Sequence, residues 1–253
     1  MSINPLVEIS VALHNQWKIT EKFLESLFRT IKTYDNVAVN IIDNASTDIT
    51  VNELEKYIGR VTLFSNETNK GFSFPHNMIM KKSYAPFSCI LHNDIVLPDN
   101  WLNMMVNYIL ENPKVGILGV LNNSFGSFTL GGRIEQDGTY GFVSSEDENK
   151  KIDFVSSACM MIRRNVQKTI SGFDEGYVLG GYADIDFCVR AKEIGFEVVC
   201  CDSIIVDHFM NSTARLVNLD RYQETNRKRF VNKNKDWIEK EKGKVILRKA
   251  RKI

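Results

Sequence analysis

The chain has 253 residues, 43% of them apolar and 25% charged, with a formal net charge of +1; this suits one large globular domain, with or without a small appendage, and excludes a disordered main body. The five cysteines lie in or beside apolar runs, no CxxC pair occurs, and no apolar run approaches the roughly 18 residues of a membrane span, so a zinc knuckle, a dithiol redox site and a transmembrane segment are excluded as well. The small net charge conceals an asymmetry, with +9 between Arg227 and Ile253 and −8 over the rest, so a basic tail follows an acidic body.

The opening MSINPLVEIS has no basic stretch leading into an apolar run, and the expectation is a chain without a secretory leader that stays in the cytoplasm with its thiols reduced. Residues 6–13 (LVEISVAL) predict a first strand, followed by a loop at His14-Asn15-Gln16. Residues 20–34 have helical spacing, with Phe23, Leu24, Leu27, Phe28 and Ile31 on one face and Thr20 as the expected cap. A second strand is expected over 37–42, ending at Asp43-Asn44, then a helix capped from Ser46, Thr47 or Asp48 and running to about Tyr57. A third strand over 61–64, a turn at Asn69-Lys70-Gly71, and a helix over 73–82 with Pro75 in its first turn complete this unit.

A fourth strand over 87–91 ends at His92-Asn93-Asp94, a helix over 98–111 carries Trp101, Leu102, Met105, Val106 and Ile109, and a strand follows over 115–121. Short apolar strands alternating with helices predict an α/β fold, a mostly parallel central sheet covered by helices on both faces. Ligands bind such sheets beyond the carboxyl ends of the strands, where Asp43, Asn44 and Asp94 stand. From Asn122 the chain turns glycine-rich, with a hairpin expected around Asp137-Gly138. A buried strand is expected over 154–162; its small residues Ser156, Ser157 and Ala158 either admit a ligand or simply pack. A helix over 184–194 ends at Gly195, strands follow over 196–200 and 203–206, and a polar helix is expected over 218–233.

The chemistry-bearing groups are Asp43, Asp94, Asp184 with Asp186, and His208. Each has a plain reading as a turn former, helix cap or structural histidine. Asp184 and Asp186 stand at a helix N-terminus, which favours their charge, after the run Leu179-Gly180-Gly181-Tyr182. Read together, they suit transfer of a sugar from a nucleoside diphosphate. The departing diphosphate builds negative charge that a divalent ion neutralises, and a carboxylate with an imidazole suits Mn2+ or Mg2+, manganese the more so. A carboxylate on the acceptor side takes the proton of the attacking hydroxyl.

These residues carry a resemblance. IIDNASTD (41–48), NETNKGFSFPHN (66–77), ILHNDIVLPDNWL (90–102), VSSACMMIRR (155–164), GFDEGYVLGGYADIDFCVRAKEIGF (172–196) and VDHFMNST (206–213) stand in the order found in inverting family 2 glycosyltransferases. The chain resembles that family over about residues 7–213, particularly its rhamnosyltransferase-like, bacterial cell-surface polysaccharide branch. The resemblance implies a GT-A fold, a Rossmann-like nucleotide-diphospho-sugar transferase. It implies a donor pocket of Asn15, Asp43, Asn44, Asn69, Lys70, Gly71, Asn77 and Asn93, a metal held by Asp94 and His208, and Asp184 as the general base. On the acceptor side it implies Trp101, Gly181, Tyr182, Asp186 and Arg190. His92 replaces an acid often found in the metal segment, which leaves it a candidate contributor, and Ala183 replaces the acid before the base.

The implied partners are a nucleotide-diphospho-sugar, UDP- or dTDP-linked by preference, and a glycan or lipid-linked acceptor. Residues 1–213 are expected to form the transferase domain, with a donor half over 1–121 and an acceptor and catalytic half over 122–213. Residues 214–253 form a basic helical tail that either lies on an anionic membrane, peripheral to its inner face, or packs as a charged helix. Nucleic acid is not an expected partner. A nucleotide-sugar-binding protein with lost or weak transfer is the alternative function, and a nucleotidyltransferase lacks its basic glycine-rich loop here.

Overall fold

A computed structural model of the chain describes residues 5–209 and 218–243. Strand β1 (Val7–Leu13) pairs in parallel with β2 (Val37–Asp43) and β4 (Phe87–Leu91), and β2 pairs in parallel with β3 (Thr62–Ser65). Helices α1 (Trp17–Thr30), α2 (Thr50–Leu54) and α3 (Ser73–Lys82) connect them. The carboxyl ends of β1, β2 and β4 therefore align, and the loops that follow them form one rim.

The second half makes the sheet mixed. The long path runs β3-β2-β1-β4-β9-β6-β10-β5, where β9 (Cys159–Arg163) is antiparallel to both β4 and β6 (Val115–Ser124). Strand β10 (Glu197–His208) is parallel to β6, and the two-residue β5 (Ile95–Val96) is antiparallel to the end of β10. A register shift between Cys201 and Ile205 lets β10 run through the gap expected between two strands. Strands β7 (Ser127–Ile134) and β8 (Tyr140–Ser144) form the hairpin expected around Asp137-Gly138 and extend off β6.

Alternation along β9 assigns the two cores. Cys159 and Met161 join a cluster with Phe23, Leu24 and Leu27 of α1 and with Trp101 and Met105 of α4 (Trp101–Glu111). Met160 and Ile162 join a cluster with Ile185, Phe187 and Val189 of α6 (Ala183–Glu193). Adjacent strand residues point to opposite sheet faces, so both faces are buried. The short α5 (Arg164–Thr169) follows β9. All five cysteines are free thiols, four of them buried.

Helix α1 begins at Trp17, before the expected Thr20 cap. Asn15 and Gln16 both take positive φ, which turns the chain into the helix early. The Asp48 carboxylate accepts from Trp17 N at 3.3 Å, and Thr20 is buried inside the helix, where its hydroxyl accepts from Asn93 Nδ2 at 2.8 Å.

The expected polar helix over 218–233 begins as a 3-10 turn at Leu219–Tyr222 and continues as α7 (Gln223–Lys233), followed by α8 (Lys235–Lys242). Phe230, Val231, Trp237 and Ile238 are buried in the same cluster as α6. The first part of the basic tail thus packs on the body, while Val245 to Ile253, part of the membrane reading, lies outside the described residues. Among the described residues no helix is long and apolar enough to cross a membrane.

Candidate active site

A cleft of about 450 Å³ opens above the carboxyl rim of β1, β2 and β4. All four histidines of the chain, His14, His76, His92 and His208, line it. Of the expected site residues, Asn44, Asn69, Gly71, Asn93, Asp94, Gly181, Asp184 and His208 line it too.

On one side Asn44 cross-braces two loops. Its Nδ2 donates to Asn69 Oδ1 and to Gly71 O, each at 2.9 Å, and its Oδ1 accepts from Asn66 Nδ2 and Lys70 N at 3.0 and 2.9 Å. Gly71 has φ +71 and a Cβ there would stand 3.0 Å from Leu179 Cα, so a side chain is excluded both by backbone conformation and by the opposing loop. His14 Nδ1 donates to Asn44 O at 2.9 Å.

Asp94, His92 and His208 place one ligand atom each within 4.8 Å of one another. The topology makes this cluster. His208 pairs with Ile95 across β10 and β5, and Phe209 N donates to Asp94 O at 2.8 Å. His208 Nε2 stands 3.3 Å and His92 Nδ1 3.8 Å from Asp94 Oδ1. Burial pulls the His92 imidazole down to about 4, against the opposing pull of Asp94, so its ring is neutral at physiological pH and keeps a nitrogen lone pair for a ligand. Two imidazoles and a carboxylate form a donor set that fits a divalent transition ion. His92 is therefore a full member of the cluster, beyond the contributing role its sequence position suggested.

Asp184 opens α6, with Tyr182 ahead of it in the left-handed region. Ser157 N and Oγ donate to Asp184 Oδ2 at 3.2 and 3.1 Å, and Ile185 N donates to Oδ1 at 2.9 Å. Burial pushes the carboxyl above the ordinary aspartate range, and these hydrogen bonds pull against that. A carboxylate raised in this way is suited to accept a proton. Tyr140 and the half-exposed Phe142 of β8 form an aromatic wall of the same cleft. Burial pushes the Tyr140 hydroxyl up to about 12, so it stays protonated.

The structure places the remaining expected residues away from the cleft lining. Asn15 Oδ1 accepts from Thr47 N and Asp48 N at 2.6 and 3.2 Å, tying together the loops after β1 and β2. Asp43 is buried beside the rim, where its carboxylate accepts from Ser46 N at 3.1 Å. Lys70 is exposed and engages Asn44 through its backbone. Trp101 is a core residue whose Nε1 donates to Thr30 Oγ1 at 3.0 Å. Tyr182 is buried, its hydroxyl donating to Gly138 O at 3.1 Å.

Asp186 is fully buried and points away from Asp184. It accepts from Tyr177 Oη, Arg190 Nε, Lys233 Nζ and Asn234 Nδ2 at 3.1, 2.7, 3.0 and 3.0 Å. Arg190 also donates to Ile170 O and Gly172 O at 2.7 and 2.9 Å. Asp186 and Arg190, two of the five expected acceptor-side residues, are thus fasteners of the fold. The reason is helical geometry, because positions two apart on a helix face different directions.

Asn77 is a fastener as well. Its Nδ2 donates to Phe173 O and Glu175 Oε1 at 2.9 and 2.8 Å, and its Oδ1 accepts from Phe173 N at 2.8 Å. Asn77→Ala strands a buried peptide N–H and C=O, and the expected loss is about 2–3 kcal/mol of folding free energy. Urea unfolding measures this, and nucleotide affinity should stay within about twofold of wild type; tenfold weaker nucleotide binding in a protein of unchanged stability would return Asn77 to the donor pocket.

Sequence reading did not single out His14, His76 and Tyr140 as lining residues, nor Leu219, Asp220 and Gln223 of the C-terminal segment, and it left Ser157 open between admitting a ligand and packing. His14 follows a strand as Asp43 does, so the rim rule reaches it. Tyr140 arrives through the β7–β8 hairpin, Leu219, Asp220 and Gln223 through the C-terminal segment, His76 on α3 and Ser157 just before β9, placements for which local pattern carries no signal.

Among known proteins, the family model described as glycosyl transferase family 2 matches residues 9–170. The O-antigen biosynthesis protein RfbC of Myxococcus xanthus is 24% identical over 232 residues, which is 83% of this chain and 18% of that protein. The chain spans less than half the length of the curated relatives it matches. The mannosyltransferase PcManGT from Pyrobaculum calidifontis, solved with GDP-Man and Mn2+, aligns with a TM-score of 0.63 at 14% identity, covering 83% of this chain and 59% of that one. GalNAc-T7, solved with UDP, GalNAc and Mn2+, aligns with a TM-score of 0.68 at 13% identity, covering 93% and 56%. These two likenesses show the GT-A type of fold.

Proposed function

Because the chain belongs to glycosyl transferase family 2, we propose that it is an inverting glycosyltransferase, moving a sugar from a nucleoside-diphosphate donor to a hydroxyl of a glycan or lipid-linked acceptor. One observation carries this reading: a single cleft holds a three-residue metal-ligating cluster and, on a different element, a buried carboxylate with a raised pKa. Neither feature alone separates a transferase from a binding protein. A binding protein needs no base, and the desolvation of Asp184 costs stability without any gain in affinity for the donor.

In this reading the nucleotide rests on the loops after β1, β2 and β3, where His14, Asn44 and Asn69 line the cleft and Asp43 stands beside them. Asp94, His92 and His208 would hold a divalent ion, Mn2+ by preference of the imidazoles, which when bound supplies charge neutralisation for the departing diphosphate. Asp184 takes the proton of the attacking hydroxyl at Oδ1 or Oδ2. Tyr140 and Phe142 offer a face on which an acceptor ring stacks. Direct displacement at the anomeric carbon needs this one base and inverts the configuration.

The likeness to the O-antigen biosynthesis protein RfbC over 83% of the chain supports a role in cell-surface polysaccharide assembly, and the order of the sequence motifs supports the rhamnosyltransferase-like branch. UDP- and dTDP-sugars are the favoured donors. Residues 1–213 form the transferase domain, with 214–253 as its C-terminal extension, whose last basic residues contact a membrane from the cytoplasmic side.

Thermal unfolding with a panel of nucleotides tests the core of this. With Mn2+ and the right nucleoside diphosphate near 100 times its Kd, the expected rise in Tm is roughly 5–10 °C, and Asp94→Ala should lose most of it. An equal rise without divalent ion, or none with any nucleotide, would overturn the reading.

A further inference from the structure

The metal cluster and the base sit on separate elements, yet one side chain touches both. Ser157 lies just before β9, buried, in a stretch of small residues. Its Oγ stands 3.2 Å from His92 Nε2 and 3.1 Å from Asp184 Oδ2. The other nitrogen of His92, Nδ1, faces Asp94 Oδ1. The order is thus metal cluster, His92 ring, Ser157 hydroxyl, base.

Hydrogen bookkeeping gives this chain one direction. A carboxylate only accepts, so the single Ser157 hydroxyl proton goes to Asp184 Oδ2. Ser157 Oγ can then only accept from His92, which requires the proton on Nε2. That leaves the lone pair on Nδ1, the nitrogen aimed at Asp94 and the cluster. The tautomer that serves a metal is therefore the same tautomer that completes the hydrogen bond to Ser157.

We propose that Ser157 is a positioning residue that couples the metal cluster to the base, holding His92 in its ligating tautomer while holding Asp184 ionised and oriented. The inference rests on the functional reading above. It answers the alternative left open by the sequence, where Ser156, Ser157 and Ala158 either admitted a ligand or packed. Ser157 does neither: its hydroxyl is spent on two functional groups. Coupling of this kind is reciprocal, so whatever strengthens one end strengthens the other.

The other groups facing Asp184 do not duplicate this role. Tyr140 from β8 and Cys188 on α6 both lie close enough to feel its charge. Among the described residues neither donates a hydrogen bond to it, whereas Ser157 and Ile185 do. Asp220, which also lines the cleft, adds a like charge near Tyr140. The Ser157 backbone N–H remains on Asp184 in any variant, so the side chain is testable by itself.

Ser157→Ala and Ser157→Thr are compared with wild type in two measurements. The first is the Kd for Mn2+ alone, from paramagnetic resonance of free Mn2+ on the full chain. The second is the pH profile of metal-dependent donor hydrolysis at saturating Mn2+, using the fastest donor from a panel of UDP-, dTDP- and GDP-sugars. For Ser157→Ala the expected results are a Kd for Mn2+ weaker by about tenfold and an acidic limb moved up by about one pH unit, as the base loses a hydrogen bond to its charged form. Ser157→Thr, which keeps the hydroxyl, should recover at least one of the two towards wild type. If Ser157→Ala moves the limb and leaves Mn2+ affinity alone, or moves neither, the coupling is overturned. A wild type that binds Mn2+ yet cleaves no donor overturns the functional reading instead, and the inference with it.

Discussion

Asp184→Asn should lower sugar transfer by about 10²- to 10⁴-fold while nucleotide affinity stays within about twofold of wild type. The change removes the proton acceptor and almost no volume, and the donor side of the cleft is built from β1 and β2, not from α6. The same substitution should leave the unfolding midpoint unchanged or raise it. Burial holds the Asp184 carboxyl above its ordinary range. Between the ordinary value and the raised one, the folded protein keeps a proton that the unfolded chain has released, so stability falls as pH rises through that window. At neutral pH the ionised Asp184 therefore destabilises the fold, and an amide relieves it.

Wild-type activity follows the opposite sign. A base works when ionised, so transfer should fall as pH drops through the raised pKa of Asp184, at a pH above that of an ordinary aspartate. Rate profiles and thermal melts of the two proteins measure all of this. A variant that keeps more than a tenth of wild-type transfer, or one that melts several degrees lower, would mean that Asp184 supports the fold and another group takes the proton.

Two residues further along the helix the expectation inverts. Asp186→Ala should destabilise the protein by about 3–5 kcal/mol, because it leaves the Arg190 cation facing a buried site without its carboxylate, while Lys233 loses its buried partner and keeps Asp174 at 2.8 Å. Asp186 is fully buried and takes four side-chain donors, two of them from α7 and the residue after it. The loss thus frees the C-terminal helices from α6 as well as exposing charge. Asp186→Asn, which keeps the shape and part of the hydrogen bonding, should lose less. Denaturant midpoints at pH 7 decide this. If Asp186→Ala unfolds like wild type but loses transfer, the carboxylate belongs to the chemistry after all. Removal of the chain after Lys233 should also destabilise, since Trp237 and Ile238 leave the second core.

The contrast between these neighbours marks the boundary of what local pattern reveals. The alternation of short apolar strands with helices was legible because covering both sheet faces forces it, and Phe87–Leu91 and Ser73–Lys82 fall where periodicity places them. The rim rule alone puts Asn44 and Asp94 at the cleft, where both stand. Thr20 as a helix cap was a reasonable local reading that failed for a non-local reason. Asp48, from the loop after β2, accepts from Trp17 N, and positive φ at Asn15 and Gln16 starts the helix early.

By residue type and local position Asp184 and Asp186 look alike, and in the sequence the family resemblance alone sets the base at Asp184. Both are acids in the first turn of one helix, and only the arrival of Lys233 and Asn234 makes one of them structural. His92 appeared as the loss of an acid, whereas in space it is the third member of the metal cluster, since β10 returns beside β5 and sets His208 against Asp94. Ser157 stands in the sequence only as one of three small residues that admit a ligand or pack, for its meaning lies in two partners 65 and 27 residues away. By itself the sequence determined the layers of the fold, the rim on which ligands bind and the residue types for the chemistry, because strand periodicity and strand ends are local. Tertiary structure alone decided which of those residues meet, because contacts between elements depend on sheet order, and it separated the groups turned into the cleft from those that fasten the fold.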